Sequence, residues 1–69
     1  LMFSTVLSAG QRLEYQFNTG RQGYLHVARG NLRVGGVSLK QGDGLRVQNQ
    51  SLLEIEGVES TEALLFDLP

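Results

Sequence analysis

Residues 12–18 read Arg-Leu-Glu-Tyr-Gln-Phe-Asn, and apolar and polar side chains alternate strictly along this stretch. Successive side chains of a β-strand point to opposite faces, so this period of two is typical of a strand with one buried face. Leu13, Tyr15 and Phe17 are predicted to face the core, and the polar residues between them are predicted to face water. The stretch therefore predicts a half-buried β-strand.

The same alternation recurs at short intervals along the rest of the chain. Its apolar members are Leu25 and Val27, Leu32 and Val34, Val37 and Leu39, Leu45 and Val47, Leu53 and Ile55, and Leu64 and Phe66. In the last segment, the pattern assigns Leu65 and Asp67 to the opposite face from Leu64 and Phe66. These segments give seven strands, or eight with residues 3–7, and no stretch keeps a helical period. The predicted fold class is all-β, a small antiparallel β-barrel or sandwich.

Turn residues separate the predicted strands, and nine glycines supply most of them. Glycine adopts positive φ without steric cost, which tight hairpins require. Gly35-Gly36 stands between two alternating segments and predicts a two-residue hairpin. The only proline is the last residue, so proline interrupts none of the predicted strands.

Length and composition exclude several classes of protein. The 69 residues suffice for one domain, and 41% of them are apolar against 19% charged, which predicts a folded core. The absence of cysteine excludes disulfides, thiolate metal ligands and cysteine nucleophiles, and favours a cytoplasmic location. The longest apolar run covers residues 63–66, too short for a membrane span, so no membrane partner is expected. Since Leu1-Met2-Phe3 begins in mid-pattern, we expect the sequence to be part of a longer protein.

Charge is distributed unevenly along the chain. Residues 1–50 carry six bases and two acids, whereas residues 51–69 carry five acids and no base. Such asymmetry can mark a nucleic-acid surface. It also arises when acidic closing strands of a sheet lie beside basic ones. We favour the second interpretation, and nucleic acid is not an expected partner, because the aromatic residues Tyr15 and Phe17 are needed in the core.

No set of residues with recognisable catalytic spacing occurs in the chain. His26 is the single histidine, and a metal site needs three or four converging ligands. Glu54 and Glu56 share one strand face, but it is the polar face, where carboxylates are normally solvated. We therefore predict no catalytic, no cofactor-binding and no metal-ligating residue in this chain.

Residues 23–43 carry a more specific pattern. Gly-Tyr-Leu-His-Val-Ala-Arg-Gly-Asn-Leu-Arg-Val at 23–34, followed by Val-Ser-Leu-Lys-Gln-Gly-Asp at 37–43, resembles the cupin signature. With residues 8–11, Arg21 and the ending Leu-Leu-Phe-Asp-Leu at 64–68, the chain resembles the C-terminal half of pirin-like bicupins, a family that includes quercetin 2,3-dioxygenases. The resemblance implies a jelly-roll-like cupin domain over residues 1–69, the C-terminal half of a two-cupin chain.

The resemblance also locates the positions of the metal ligands of metal-dependent cupins. Alignment on Gly30 places the glutamate ligand at Gly23, and the two histidines at Gln16 and Asn18 or at Phe17 and Thr19. Alignment of the second motif on Gly42 places its proline, glycine, histidine and asparagine at Gln48, Gln50, Leu53 and Gly57. None of these residues supplies the expected ligand. Because strand side chains alternate, position 23 facing inward also turns Leu25 and Val27 inward and His26 outward.

These features suggest a function by analogy with the family. The chain is expected to be the non-catalytic, metal-free half of a pirin-like protein, packed against an N-terminal cupin domain that binds a mononuclear metal, commonly iron. The parent would be of the quercetin 2,3-dioxygenase type. The outward face with Tyr24 and His26 is one candidate for the contact between the domains, and the fragment alone can self-associate. Two alternatives stay open, a stand-alone barrel that binds a small ligand and an adaptor or regulatory module.

Overall fold

Eight β-strands make up the regular structure of residues 2–69. The structure is a computed structural model, and it describes residues 2–69, so Leu1 lies outside the described residues. The strands are β1 (Met2–Leu7), β2 (Arg12–Gln16), β3 (Gln22–Arg29), β4 (Asn31–Val34), β5 (Val37–Lys40), β6 (Gly44–Val47), β7 (Leu52–Gly57) and β8 (Thr61–Leu68). The all-β prediction is confirmed, with residues 3–7 forming part of the additional strand β1. No helix long and apolar enough to cross a membrane occurs within residues 2–69.

The strands form two four-stranded sheets. The first sheet has the order β1-β8-β3-β6 and the second the order β2-β7-β4-β5, and every strand pair is antiparallel. Among the described strands, only β4 and β5 are both consecutive in the chain and paired with each other. The chain therefore crosses repeatedly between the sheets, as in a jelly roll.

The core lies between the two sheets and is built from the alternating apolar residues. Its buried side chains are Leu7, Phe17, Leu25, Val27, Leu32, Leu39, Val47, Leu53, Ile55, Ala63 and Leu65. Most of them are apolar positions of the predicted strands. The alternation thus identifies both the strands and, in β2 to β7, the faces that they bury.

Strand β8 has the opposite orientation from the one predicted. Leu65 and Asp67 face the core and are 3% and 6% exposed, whereas Leu64 and Phe66 lie half-buried on the outer face. The alternation grouped Leu64 and Phe66 with the core-facing residues, and this was wrong because the inner face of β8 includes a carboxylate. Asp67 can lie inside because Tyr15 and Arg21 donate hydrogen bonds to it.

The acidic and basic halves of the chain meet in the sheets. Glu56 of β7 lies between Arg12 of β2 and Arg33 of β4 in the strand register. Arg29 of β3 forms an ion pair with Glu62 of β8, at 3.7 Å. These neighbours agree with the interpretation that acidic closing strands lie beside basic ones.

Two turns show where glycine is required. Gly35-Gly36 connects β4 to β5, with Val34 opposite Val37, which confirms the predicted hairpin. Gly30 connects β3 to β4 with a φ of 86°, and a side chain there would collide with the carbonyl oxygen of Ser60. The backbone of Ser60 and Thr61 therefore passes closer to Gly30 than a residue with a Cβ atom would allow.

A pair of glycine substitutions separates close approach from backbone conformation. Gly20 has a φ of 84°, almost the same as Gly30, but a Cβ at Gly20 would meet nothing within 4 Å. We expect Gly20→Ala to lower the free energy of unfolding by about 1 kcal/mol through left-handed strain alone. Gly30→Ala is expected to lower it by about 3 kcal/mol or more, since overpacking adds to the strain. Urea denaturation measures the free energy of unfolding of both variants, and equal losses of this free energy would contradict the close contact at Gly30.

Candidate functional site

A buried carboxylate at one end of the sandwich holds three segments together. Asp67, near the end of β8, accepts a hydrogen bond at Oδ2 from the Tyr15 hydroxyl of β2, at 2.5 Å. Arg21, in the loop before β3, donates from Nε to Asp67 Oδ1 at 2.8 Å and from Nη2 to the Asp67 carbonyl at 3.0 Å. We call Tyr15, Arg21 and Asp67 the polar cluster. It links the two sheets, because β2 and β8 belong to different ones.

Two aromatic rings pack against the Tyr15 ring of the polar cluster. The ring of Tyr15 lies 5.2 Å from that of Phe3 and 4.9 Å from that of Phe17, centroid to centroid. The Arg21 side chain is 29% exposed, so the cluster reaches from the aromatic interior to the surface. Tyr15 is therefore an apolar core residue whose hydroxyl has a defined acceptor.

The hydrogen bonds of the polar cluster shift two pKa values in opposite directions. Donation by Tyr15 and Arg21 stabilises the ionised form of Asp67, so the pKa of that carboxyl lies below its ordinary value. The hydrogen bond to Asp67 raises the pKa of Tyr15, since ionised tyrosine could not donate it. The arrangement favours the neutral phenol of Tyr15 beside the ionised carboxylate of Asp67, with the guanidinium of Arg21 nearer to the surface.

The position aligned with the glutamate ligand of metal-dependent cupins lies beside the polar cluster. Gly23 of β3 is paired with Asp67 on one side and with Val47 on the other. A Cβ at Gly23 would collide with the ring of Phe17. The space that a longer inward side chain at position 23 would occupy is filled by that ring.

The other aligned positions divide between the core and the surface. Leu53 is buried in the core, and Gly57 is buried where a Cβ would lie only 2.7 Å from the Ser8 carbonyl oxygen. The exposed positions are Gln16, Asn18, Thr19, Gln48 and Gln50. Among residues 2–69, no group of three or more His, Asp or Glu side chains could hold a metal ion. The residues at the aligned positions therefore do not fit the metal of a metal-dependent cupin.

The remaining candidates from the sequence lie on outer faces. His26 is paired with Leu64 and Gly44 on the outside of the first sheet, as its alternation with Leu25 predicted. Glu54 lies on the outside of the second sheet opposite Glu14. Sequence reasoning missed the polar cluster, although an aspartate within the apolar segment that ends the chain was a signal for it.

A surface depression of about 710 Å³ lies next to Arg21. It is lined by residues 17–22 and 48–51, the loops that precede β3 and β7. Its lining includes five carboxamide side chains, those of Asn18, Gln22, Gln48, Asn49 and Gln50. The buried residue Phe17 is also among its lining residues.

The polar cluster predicts a pH dependence of stability with two limits. Asp67 has a lowered pKa, so its contribution is present above the ordinary carboxyl pKa and is lost as the pH falls through the lowered value. Tyr15 has a raised pKa, so its contribution is present below the ordinary tyrosine pKa and is lost as the pH rises through the raised value.

Melting temperatures across the pH range test both limits. Asp67→Asn is expected to lower the melting temperature at neutral pH and to flatten its decline in acid, while Tyr15→Phe flattens the alkaline decline. Glu54→Gln, which changes an exposed carboxylate, serves as the control. Identical acid declines in wild type and Asp67→Asn would contradict the role given to Asp67.

Known proteins are similar to this chain in both sequence and fold. The chain is 28% identical over 68 residues to the quercetin 2,3-dioxygenase of Escherichia coli strain K12, covering 99% of this chain and 29% of that protein. It is 32% identical over 66 residues to a pirin-like protein of Caulobacter vibrioides, covering 96% of this chain and 28% of that protein. The chain thus spans less than a third of the length of these relatives.

Solved structures are also similar to this chain over almost its whole length. The crystal structure of YhhW from Escherichia coli matches with a TM-score of 0.96 at 28% identity, over 99% of this chain and 29% of that one. The structure of the bacterial pirin YhhW in complex with nickel(II) also matches with a TM-score of 0.96. The family model for the quercetinase C-terminal cupin domain matches residues 1–68. This chain belongs to that family, the C-terminal cupin domains of quercetinase-like and pirin-like proteins.

Proposed function

We propose that this chain is the non-catalytic, metal-free C-terminal domain of a longer pirin-like protein. In this proposal the parent protein is cytoplasmic and of the quercetin 2,3-dioxygenase type, and its metal ion, commonly iron, is bound by an N-terminal cupin domain. The chain supports that domain by packing against it. No residue of this chain takes part in the reaction.

The observation that carries the proposal is the packing of Phe17 against Gly23. An aromatic ring fills the space next to the position aligned with a carboxylate ligand, and a Cβ at Gly23 would already collide with it. Leu53 is a core residue at the position aligned with the last histidine. A metal centre needs polar ligands that converge on one point, whereas these side chains pack as apolar core.

The size of the chain supports a domain that depends on a neighbour. A domain of about 60 residues buries only about 60% of the surface of its unfolded chain, so its own core gives modest stability. The relatives extend over more than three times this length, which leaves room for a second domain in the same polypeptide. Contact with that domain would add buried area to both.

Metal analysis of the parent protein tests the proposal. The parent is expressed with iron or nickel, and its bound metal is measured by mass spectrometry before and after His26→Ala and Asp67→Asn. These substitutions remove the single histidine and the buried carboxylate of this chain. We expect stoichiometric metal in all three proteins, because the ligands belong to the other domain.

A matched substitution away from both His26 and Asp67 controls for general destabilisation. Glu54→Gln alters an exposed carboxylate on the second sheet and should leave the metal content unchanged. Loss of metal in His26→Ala or Asp67→Asn, with a retained fold by circular dichroism, would overturn the proposal. Metal bound by this chain when it is produced alone would overturn it as well.

A further inference from the structure

The outer faces of the two sheets differ in chemistry. The outer face of the first sheet carries a group of apolar side chains, which we call the apolar face: Met2, Tyr24, Leu64, Phe66 and Leu68. Around this group, the same side of the sheet carries Ser4, Val6, Gln22, His26, Arg29, Arg46 and Glu62. The outer face of the second sheet carries Arg12, Glu14, Arg33, Lys40, Glu54 and Glu56. Both faces belong to antiparallel sheets of four strands, so fold geometry alone does not explain the difference.

The apolar face is continuous across three neighbouring strands. Met2 of β1 is paired with Phe66 of β8, and Phe66 is paired with Tyr24 of β3. In the next row Leu64 lies between Ser4 of β1 and His26 of β3. Cross-strand partners lie close enough for their side chains to touch, so these rows form one surface.

Several members of the apolar face are far more exposed than a core would allow. Met2 is 61% exposed, Leu68 42% and Tyr24 38%. Single exposed apolar residues are normal, but a contiguous apolar patch of this kind marks an interaction surface. The charged outer face of the second sheet has the composition expected of a face in water.

At the edge of the apolar face near β6, Tyr24 covers Gly44. The ring of Tyr24 lies across Gly44, and a Cβ at Gly44 would collide with the phenol. The rings of Tyr24 and Phe66 are 6.3 Å apart and inclined by 34°. Because Gly44 has no side chain, the Tyr24 ring packs on the sheet instead of projecting from it, which favours contact with another broad surface.

We propose that the apolar face is the surface on which the remainder of the parent polypeptide docks, as a second domain with an uncharged apolar surface. The inference rests on the proposed function, since it needs a parent with a second domain. Ionic groups lie at the margins of the face, where Arg29 pairs with Glu62 and where Arg46 neighbours Tyr24. The partner surface is therefore apolar at its centre and polar at its rim.

The covalent connection favours the parent's own second domain over a second copy of the chain. This chain matches less than a third of each relative, so most of the polypeptide lies outside the matched part. A tethered partner acts at an effective concentration on the order of millimolar. A free copy in solution would have to exceed that concentration to compete for the same face.

Two substitutions to glutamate at exposed apolar residues test the assignment in the full-length parent. Leu68→Glu places a charge on the apolar face, where Leu68 is 42% exposed, and Leu52→Glu places one on the outer face of the second sheet, where Leu52 is 44% exposed. Met2→Glu is a second variant on the apolar face. A charge buried against an apolar partner is strongly unfavourable, whereas one in water is nearly neutral.

We expect Leu68→Glu and Met2→Glu to raise the rate of proteolysis between the domains by about tenfold or more, which corresponds to a free-energy change of about 1.4 kcal/mol. The radius of gyration by X-ray scattering should increase and unfolding should split into two transitions. Leu52→Glu should match wild type. Circular dichroism of each variant verifies that the strands remain formed.

Three outcomes would overturn the inference. The first is that Leu68→Glu and Met2→Glu leave proteolysis and scattering unchanged, and the second is that Leu52→Glu has the same effect as they do. The third is that the variants convert a dimer into monomers while the contact within each polypeptide persists, which would assign the face to a second copy. The metal content of each variant is measured separately. A variant whose domains have come apart but which keeps its metal contradicts nothing in the proposed function.

Discussion

Strand β8 is hydrogen-bonded on both sides, to β1 and to β3, and the rest of the first sheet is assembled around it. Its inner side chains Ala63, Leu65 and Asp67 enter the core, and its outer side chains Leu64 and Phe66 form the middle of the apolar face. Both the polar cluster and the apolar face therefore depend on one strand. Turning β8 over would bury Phe66 and would remove Asp67 from Tyr15 and Arg21.

The fold was predictable from sequence because most of its strands alternate in a simple way. In β2 and β3, for example, the inward residues are apolar or glycine at every second position, so both the strand and its buried face can be identified. Strand β8 is apolar on both faces, and periodicity then identifies the strand without identifying the face. Its orientation depends on Asp67, whose hydrogen-bond donors are 46 and 52 residues away in the chain. No local pattern contains that information.

The candidate site was predictable only in part, for a related reason. Alignment with the cupin pattern identifies Gly23 as a position without its ligand, but only the structure shows what fills the space beside it. Alternation assigns Phe17 to the core, yet its contact with Gly23 brings together segments that are not neighbours in one sheet. Close packing of that kind is set by side-chain shape in three dimensions.

The central place of β8 also constrains how the domain is made. During synthesis β1 emerges first and β8 last, and among the described strands β1 has no hydrogen-bonded neighbour other than β8. Strand β1 therefore stays unpaired, with Met2 and Val6 exposed, until almost the whole domain has left the ribosome. At about 5–20 residues per second this interval lasts several seconds. A chaperone or an earlier-folded part of the same polypeptide would find in β1 an unpaired, apolar strand throughout that time.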